Sequence, residues 1–153
     1  MSSEDASALR QHVHRFLRSF GLLACETTPC GQPLPVSYAH ALMILDGVSG
    51  DDEAPTMGAL ARELGIDKSN VTRLCRRMQD AGHLEITRCG EDGRVRCLRL
   101  TAAGRRLAKQ VERSSRRRFE RILSHIPPER RAELLRGLDL LGEAVARTLE
   151  EEV

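Results

Sequence analysis

Thr56-Met-Gly-Ala-Leu-Ala-Arg-Glu-Leu-Gly-Ile-Asp-Lys-Ser-Asn-Val-Thr-Arg-Leu-Cys-Arg-Arg-Met-Gln-Asp-Ala-Gly-His-Leu84 contains two runs of helical spacing parted by a glycine. In the first, Leu60 and Leu64 lie four residues apart behind Thr56, whose hydroxyl suits an N-cap, and Gly65 follows where a left-handed backbone costs least. In the second, Asp67 stands as N-cap before a segment running from Lys68 to about Ala81, and Gly82 closes it. Two short helices about a tight glycine turn predict a helix-turn-helix.

The second helix divides cleanly by face. Val71, Leu74, Cys75 and Met78 share one side and are expected to pack inward. Ser69, Asn70, Thr72, Arg73, Arg76 and Arg77 fall on the other. Short hydroxyls and an amide near the helix N-terminus suit base edges, and arginines bond guanine or clamp phosphate, as a major-groove reader requires. A polar face on an isolated helix is as readily a solvated surface, so its neighbours decide the reading. Beyond the helix the period changes: Leu84 to Cys89 and Val95 to Leu100 are short strands around Gly90-Glu91-Asp92-Gly93, a hairpin-turn signal. This hairpin, with Arg88, Arg94, Arg96 and Arg99, is read as a wing, and Arg94 is the residue expected to enter the minor groove. Thr56 to Arg106 carries eleven Lys/Arg against six Asp/Glu, whereas the remainder carries thirteen against sixteen. The net charge of only +2 therefore hides a basic middle third, where an anionic partner is expected.

Outward from this core the pattern is helical. Leu9, Val13, Phe16, Leu17 and Phe20 mark a first helix over Asp5 to Leu23, and the Pro/Gly-rich stretch Thr27 to Pro35 is a loop. Ser37 is expected to cap a second helix to about Leu45, with Gly47 to Pro55 as the next connector. Thr101 caps a long helix through Leu107, Val111 and Ile122, which Pro127-Pro128 ends, and a last helix places Leu134, Leu138, Leu141, Val145 and Leu149 on one stripe. The expected fold is mainly α with a small β-hairpin wing, a six-helix winged helix-turn-helix. Residues 37–101 would form its DNA-binding part, and residues 1–36 and 102–153 the dimerisation helices. The apolar stripes of the terminal helices would otherwise remain in water, and a two-fold dimer sets two reading helices ~34 Å or a multiple apart.

The totals agree. A chain of 153 residues with 41% hydrophobic and 3% aromatic residues suits one compact domain whose core is aliphatic. No run approaches the roughly 18 apolar residues of a membrane span, and the N-terminus lacks a secretory apolar stretch, so a cytoplasmic protein without membrane contact is expected. In a reducing compartment the five cysteines, Cys25, Cys30, Cys75, Cys89 and Cys97, read better as thiols than as structural bridges. Cys75 belongs to the core face; Cys89 and Cys97 flank the hairpin, the sequence leaves open the register that would bring them opposite each other, and no bond between them is expected. No Gly-rich phosphate loop, nucleophile elbow or His-Glu-x-x-His motif is present, which argues against an enzyme.

Met57 to Leu84, together with Asp92-Gly93-Arg94 and Leu98-Arg99-Leu100-Thr101-Ala102-Ala103-Gly104, resembles the MarR family in its helix-turn-helix, its wing and the start of its next helix. About fifty residues carry the resemblance. It implies a dimer made by the first and last two helices, a palindromic operator, and a transcription regulator, most simply a repressor released by a small-molecule, oxidant or metal signal. The rival reading is a DNA-binding or protein-interaction winged helix with no effector response. The candidate sensor is Cys25, Cys30 and His40, residue types that ligate zinc or copper, while the two thiols alone suit oxidation. Zinc-responsive members of the family use a histidine pair on the helix after the wing, where this chain has Ser114, Ser115 and Arg116 to Arg118. Thiol-sensing members place the reactive cysteine in the first helix, and Cys25 lies at or past its end. Inert cysteines, no cofactor and a small-molecule effector form the preferred reading.

Overall fold

In a computed structural model, the residues described are 3–23, 26–48, 54–89 and 95–151. Among them the order is α1 (Ser3–Phe20), α2 (Val36–Gly47), α3 (Met57–Leu64), α4 (Lys68–Asp80), β1 (Leu84–Cys89), β2 (Val95–Leu100), α5 (Ala102–Ser124) and α6 (Pro128–Glu151). Six helices and one antiparallel hairpin make the winged-helix architecture expected. The chain forms two compact units, residues 1–115 and 116–153, and α5 runs through the boundary.

In the first unit, α2 is the central element. It is predominantly apolar, as a helix packed on several sides must be, and buries Tyr38, Ala39, Ala41, Leu42 and Leu45. Around it gather Leu60 of α3, the inward face of α4, Leu84, Leu98 and Leu100 of the hairpin, and Ala108 and Val111 of α5. The hairpin is in register with Leu84 opposite Leu100 and Ile86 opposite Leu98, so these aliphatic pairs share the core face. Leu98 N–H donates to Pro55 O at 2.9 Å and Thr56 bridges Cys97, which fastens the wing to the residue that caps α3.

Two boundaries differ from the sequence reading. α1 stops at Phe20, not Leu23, because Gly21 turns to φ 82°. α2 starts one residue before Ser37: Pro35, at φ −58° and ψ 147°, is the capping residue, and no side chain supplies a cap hydrogen bond. The stretch after Thr27 is ordered: Thr28 is buried, its hydroxyl accepts from Gln32 N–H at 2.9 Å, and Gln32 Nε2 donates to Ser114 Oγ of α5 at 2.8 Å.

The second unit holds the end of α5 and all of α6. Pro128 opens α6 at the first helical position, where its missing N–H costs nothing. Arg131 secures the turn between the helices by donating to Leu123 O at 3.0 Å and Ile126 O at 3.1 Å. No residue of α6 is buried, and Leu134, Leu138, Val145 and Leu149 lie exposed along it.

Candidate nucleic-acid interface

The helix-turn-helix is built by the caps its sequence supplies. Thr56 Oγ1 accepts from Ala59 N–H at 3.1 Å, and Gly65 ends α3 at φ 62°, ψ 34°. Two residues later Asp67 caps α4, its Oδ1 accepting from Asn70 N–H at 2.8 Å and from Ser69 Oγ at 2.7 Å. Gly82, at φ 73°, reverses the chain into β1.

Burial then divides α4 as its sequence divides it. Val71, Leu74, Cys75 and Met78 are buried, and desolvation pushes the Cys75 thiol up to about 11, so it is a core group and not a nucleophile. Ser69, Asn70, Arg73, Arg76 and Arg77 are exposed and Thr72 is half-buried. The structure thus gathers six predicted contact residues on one outward face, where Lys68, Ser69, Thr72, Arg73 and Arg76 line a shallow groove.

These side chains are pre-arranged. Asp67 Oδ2 accepts from Asn70 Nδ2 at 2.6 Å, and Asn70 Oδ1 accepts from Arg73 Nη2 at 3.0 Å, a chain of three residues across the first turn of α4. Thr72 Oγ1 donates to Lys68 O at 2.7 Å, one turn back along the helix. The backbone hydrogen bond from Asn70, followed by the side-chain bond from Ser69, holds the Asp67 carboxyl below its ordinary value. Sequence spacing places Asn70 and Arg73 on one face; their mutual bond and its anchor at Asp67 emerge only in the fold.

The wing adds charge. Arg88 and Arg96 stand directly opposite each other on β1 and β2, both exposed. Arg94, the expected minor-groove residue, lies outside the described residues, as does Cys25. Of the other candidate sensor residues, Cys30 is half-buried with its sulfur 3.0 Å from Thr28 Oγ1, and His40 is exposed on α2. Among the described residues no group of three or more His, Cys, Asp or Glu is placed to hold a metal ion.

One expectation is corrected. Cys89 and Cys97, read as thiols, are joined as a disulfide. Cys89 pairs with Val95, which puts Cys97 at the diagonal position on the same face, with 5.9 Å between the Cα atoms. That separation is the ordinary one for a bridge, and it depends on a register that the sequence did not specify.

The model of the MarR family matches residues 32–95, from the loop before α2 to the start of β2. No curated protein sequence is significantly similar to the chain. Solved structures share its fold over nearly the whole length. FabT of Streptococcus pneumoniae, in complex with DNA, superposes with a TM-score of 0.71 at 22% identity, covering 91% of this chain and 99% of that one. The PcaV transcriptional regulator of Streptomyces coelicolor, with its natural ligand, gives 0.69 at 20% identity, over 95% and 99%. NMB1585, a MarR family regulator of Neisseria meningitidis, gives 0.63 at 20%, over the full length of both. Residues 32–95 are thus similar to the MarR family, and the winged-helix fold that encloses them is the fold of these solved regulators.

Proposed function

We propose that the protein is a transcription regulator that binds a palindromic operator as a homodimer, and that it is a repressor released by a signal. The observation that carries this reading is the outward face of α4, where Ser69, Asn70, Thr72, Arg73, Arg76 and Arg77 stand clear of a fully packed opposite face. A major-groove reader needs small polar groups and guanidinium on a rigid helix, and α4 is held rigid by its buried side and by the Asp67 cap. Arg96, with Arg94 beyond the described residues, supplies wing contacts. Residues 37–101 form the DNA-binding part. The exposed apolar faces of α1, with Leu9 and Phe16, and of α6 form the dimer contact. That FabT is bound to DNA and PcaV to a natural ligand supports duplex DNA as partner and a small molecule as the effector class. Cys25, Cys30 and His40 are the alternative sensor, for an oxidant or a metal.

The test begins with duplexes selected by the protein from a random pool, followed by anisotropy titration. Arg73→Ala is expected to cost ~1–3 kcal/mol and to flatten sequence preference, while Arg96→Ala weakens all duplexes alike and lowers the salt slope by about 1. Unchanged affinity in both would leave a protein-interaction winged helix in place of a DNA reader.

A further inference from the structure

We propose that Cys89 and Cys97 form a reversible dithiol–disulfide pair by which hydrogen peroxide stiffens the wing and raises its affinity for DNA. The inference rests on the DNA-binding reading above, but the pair itself stands on the hairpin. The bond joins the last residue of β1 to the third residue of β2, and Cys97 is also the point where the hairpin bridges Thr56, the cap of α3. One sulfur therefore belongs to the free end of the wing and the other to its root. A bond of this kind in a DNA-binding protein, which works in a reducing compartment, is of the transient, redox-sensing sort and not a permanent staple.

What the bond opposes is also in view. Arg88 and Arg96 lie directly opposite at the same end of the ladder, and like charges in that position repel. With the thiols reduced, among the described residues only the Cys89–Val95 pair lies beyond this repulsion, and that end of the ladder frays. Duplex phosphate neutralises the two guanidiniums, so the reduced wing orders only on binding and loses the free energy of that ordering from its affinity. The disulfide holds the same end closed beforehand.

The chemistry balances with a peroxide alone. Cys89 is half-buried and Cys97 is 8% exposed, so Cys89 is the accessible sulfur. Its thiolate attacks one peroxide oxygen, the O–O bond breaks, and the departing hydroxide takes a proton to leave as water, with a sulfenic acid on Cys89. Cys97 sulfur then attacks Cys89 sulfur, the S–O bond breaks as the S–S bond forms, and a second water carries off the Cys97 proton. Two thiols lose two electrons, peroxide becomes two waters, and a dithiol reverses the bond by exchange.

The full chain is treated with hydrogen peroxide or with dithiothreitol, and both forms are digested without reduction and weighed. Each is also titrated against a labelled duplex selected from a random pool. Peroxide is expected to link the Cys89 and Cys97 peptides with loss of two hydrogens, and reduction to weaken DNA binding on the order of ten-fold, the scale of ordering a short segment on association. Cys89→Ser, at the wing's outer end, should bind as the reduced wild type does and ignore peroxide. Cys97→Ser is read beside it, with a helical circular dichroism spectrum as the check on folding. Failure of the two peptides to link overturns the pair whether or not DNA is bound. Linkage with equal affinity of both forms overturns the switch. Absence of DNA binding by every form, with linkage intact, overturns the DNA-binding reading and the switch that depends on it, and leaves the thiol chemistry standing.

Discussion

Gly104 of α5 lies flat against the carbonyl of His83, so close that a Cβ on Gly104 would overlap the His83 oxygen. The same carbonyl accepts from Thr101 N–H at 3.1 Å, and Thr101 Oγ1 donates to Gly82 O at 2.7 Å while accepting from Gly104 N–H at 3.0 Å. The start of α5 is thus stitched to the turn that closes α4. Because the obstruction is backbone and not the end of a flexible side chain, Gly104→Ala must separate two elements. We expect a loss of about 2 kcal/mol or more, at the upper end of overpacking, read as a lower urea midpoint with an unchanged slope. Stability equal to wild type would mean that the contact is not as close as described.

The other side of His83 faces Tyr38, whose Oη lies 2.7 Å from His83 Nδ1. Burial raises the Tyr38 pKa above 10.0, with the positive charge of Arg77 acting in the opposite direction. The folded state keeps a proton that the unfolded chain releases near 10, so this contribution to stability is whole below pH 10 and is lost as pH rises through the folded value. Tyr38 is the sole tyrosine, so phenolate absorbance reports it without deconvolution. Its midpoint should lie above 10 in the native protein and return to about 10 in denaturant. Tyr38→Phe should cost ~1 kcal/mol, the net worth of one hydrogen bond. A native midpoint at or below 10 would contradict the burial.

These two contacts show where sequence reasoning reaches and where it stops. The helix-turn-helix was legible because each of its boundaries is a local event, a Thr56 or Asp67 cap at one end and a glycine at the other. The face assignment of α4 was legible for the same reason, since period alone decides it. Tyr38 and His83 are forty-five residues apart and neither is unusual in composition, so nothing local announces their bond. The start of α2 was misread because Ser37 is a good cap in general, whereas the backbone of Pro35 already turns the chain. The Cys89–Cys97 bridge turned on a register that two short, turn-flanked strands do not settle by pattern. Gln32, read as part of a loop, anchors that loop to α5 through Ser114 and through a 3.0 Å bond from Gln110, a link with no signature but the amide itself.

Asp67 connects stability to the reading face. Its carboxylate is held by Asn70 N–H and Ser69 Oγ, and its folded pKa is lowered from 3.8. The cap therefore contributes fully above the ordinary carboxyl value and is lost as pH falls through the lower folded value. Carbon-detected titration should therefore find Asp67 protonating below 3.8. Asp67→Ala should also release Asn70, and with it the Asn70–Arg73 contact, so DNA affinity should fall even though Asp67 carries the charge that repels phosphate. Affinity that rises on this substitution would show that the carboxylate acts as a repulsive charge more than as an anchor.

The last expectation concerns α6. Leu134, Leu138, Leu141, Val145 and Leu149 recur at three- and four-residue intervals, yet only Leu141 is even half-buried. Burying each of these side chains fully is worth roughly 1.5–3 kcal/mol, so a stripe of five exposes more apolar surface than an isolated helix of this length tolerates. A second copy of the chain offers the same stripe, and a two-fold axis lets the two cover each other. Sedimentation equilibrium should give the mass of two subunits. Leu138→Arg, which sets a charge at the middle of the stripe, should shift the distribution toward one subunit and weaken operator binding with it, because two half-sites are then no longer held by one particle. A wild-type mass of one subunit at working concentration would remove the dimer, and dissociation without loss of DNA affinity would separate dimerisation from recognition.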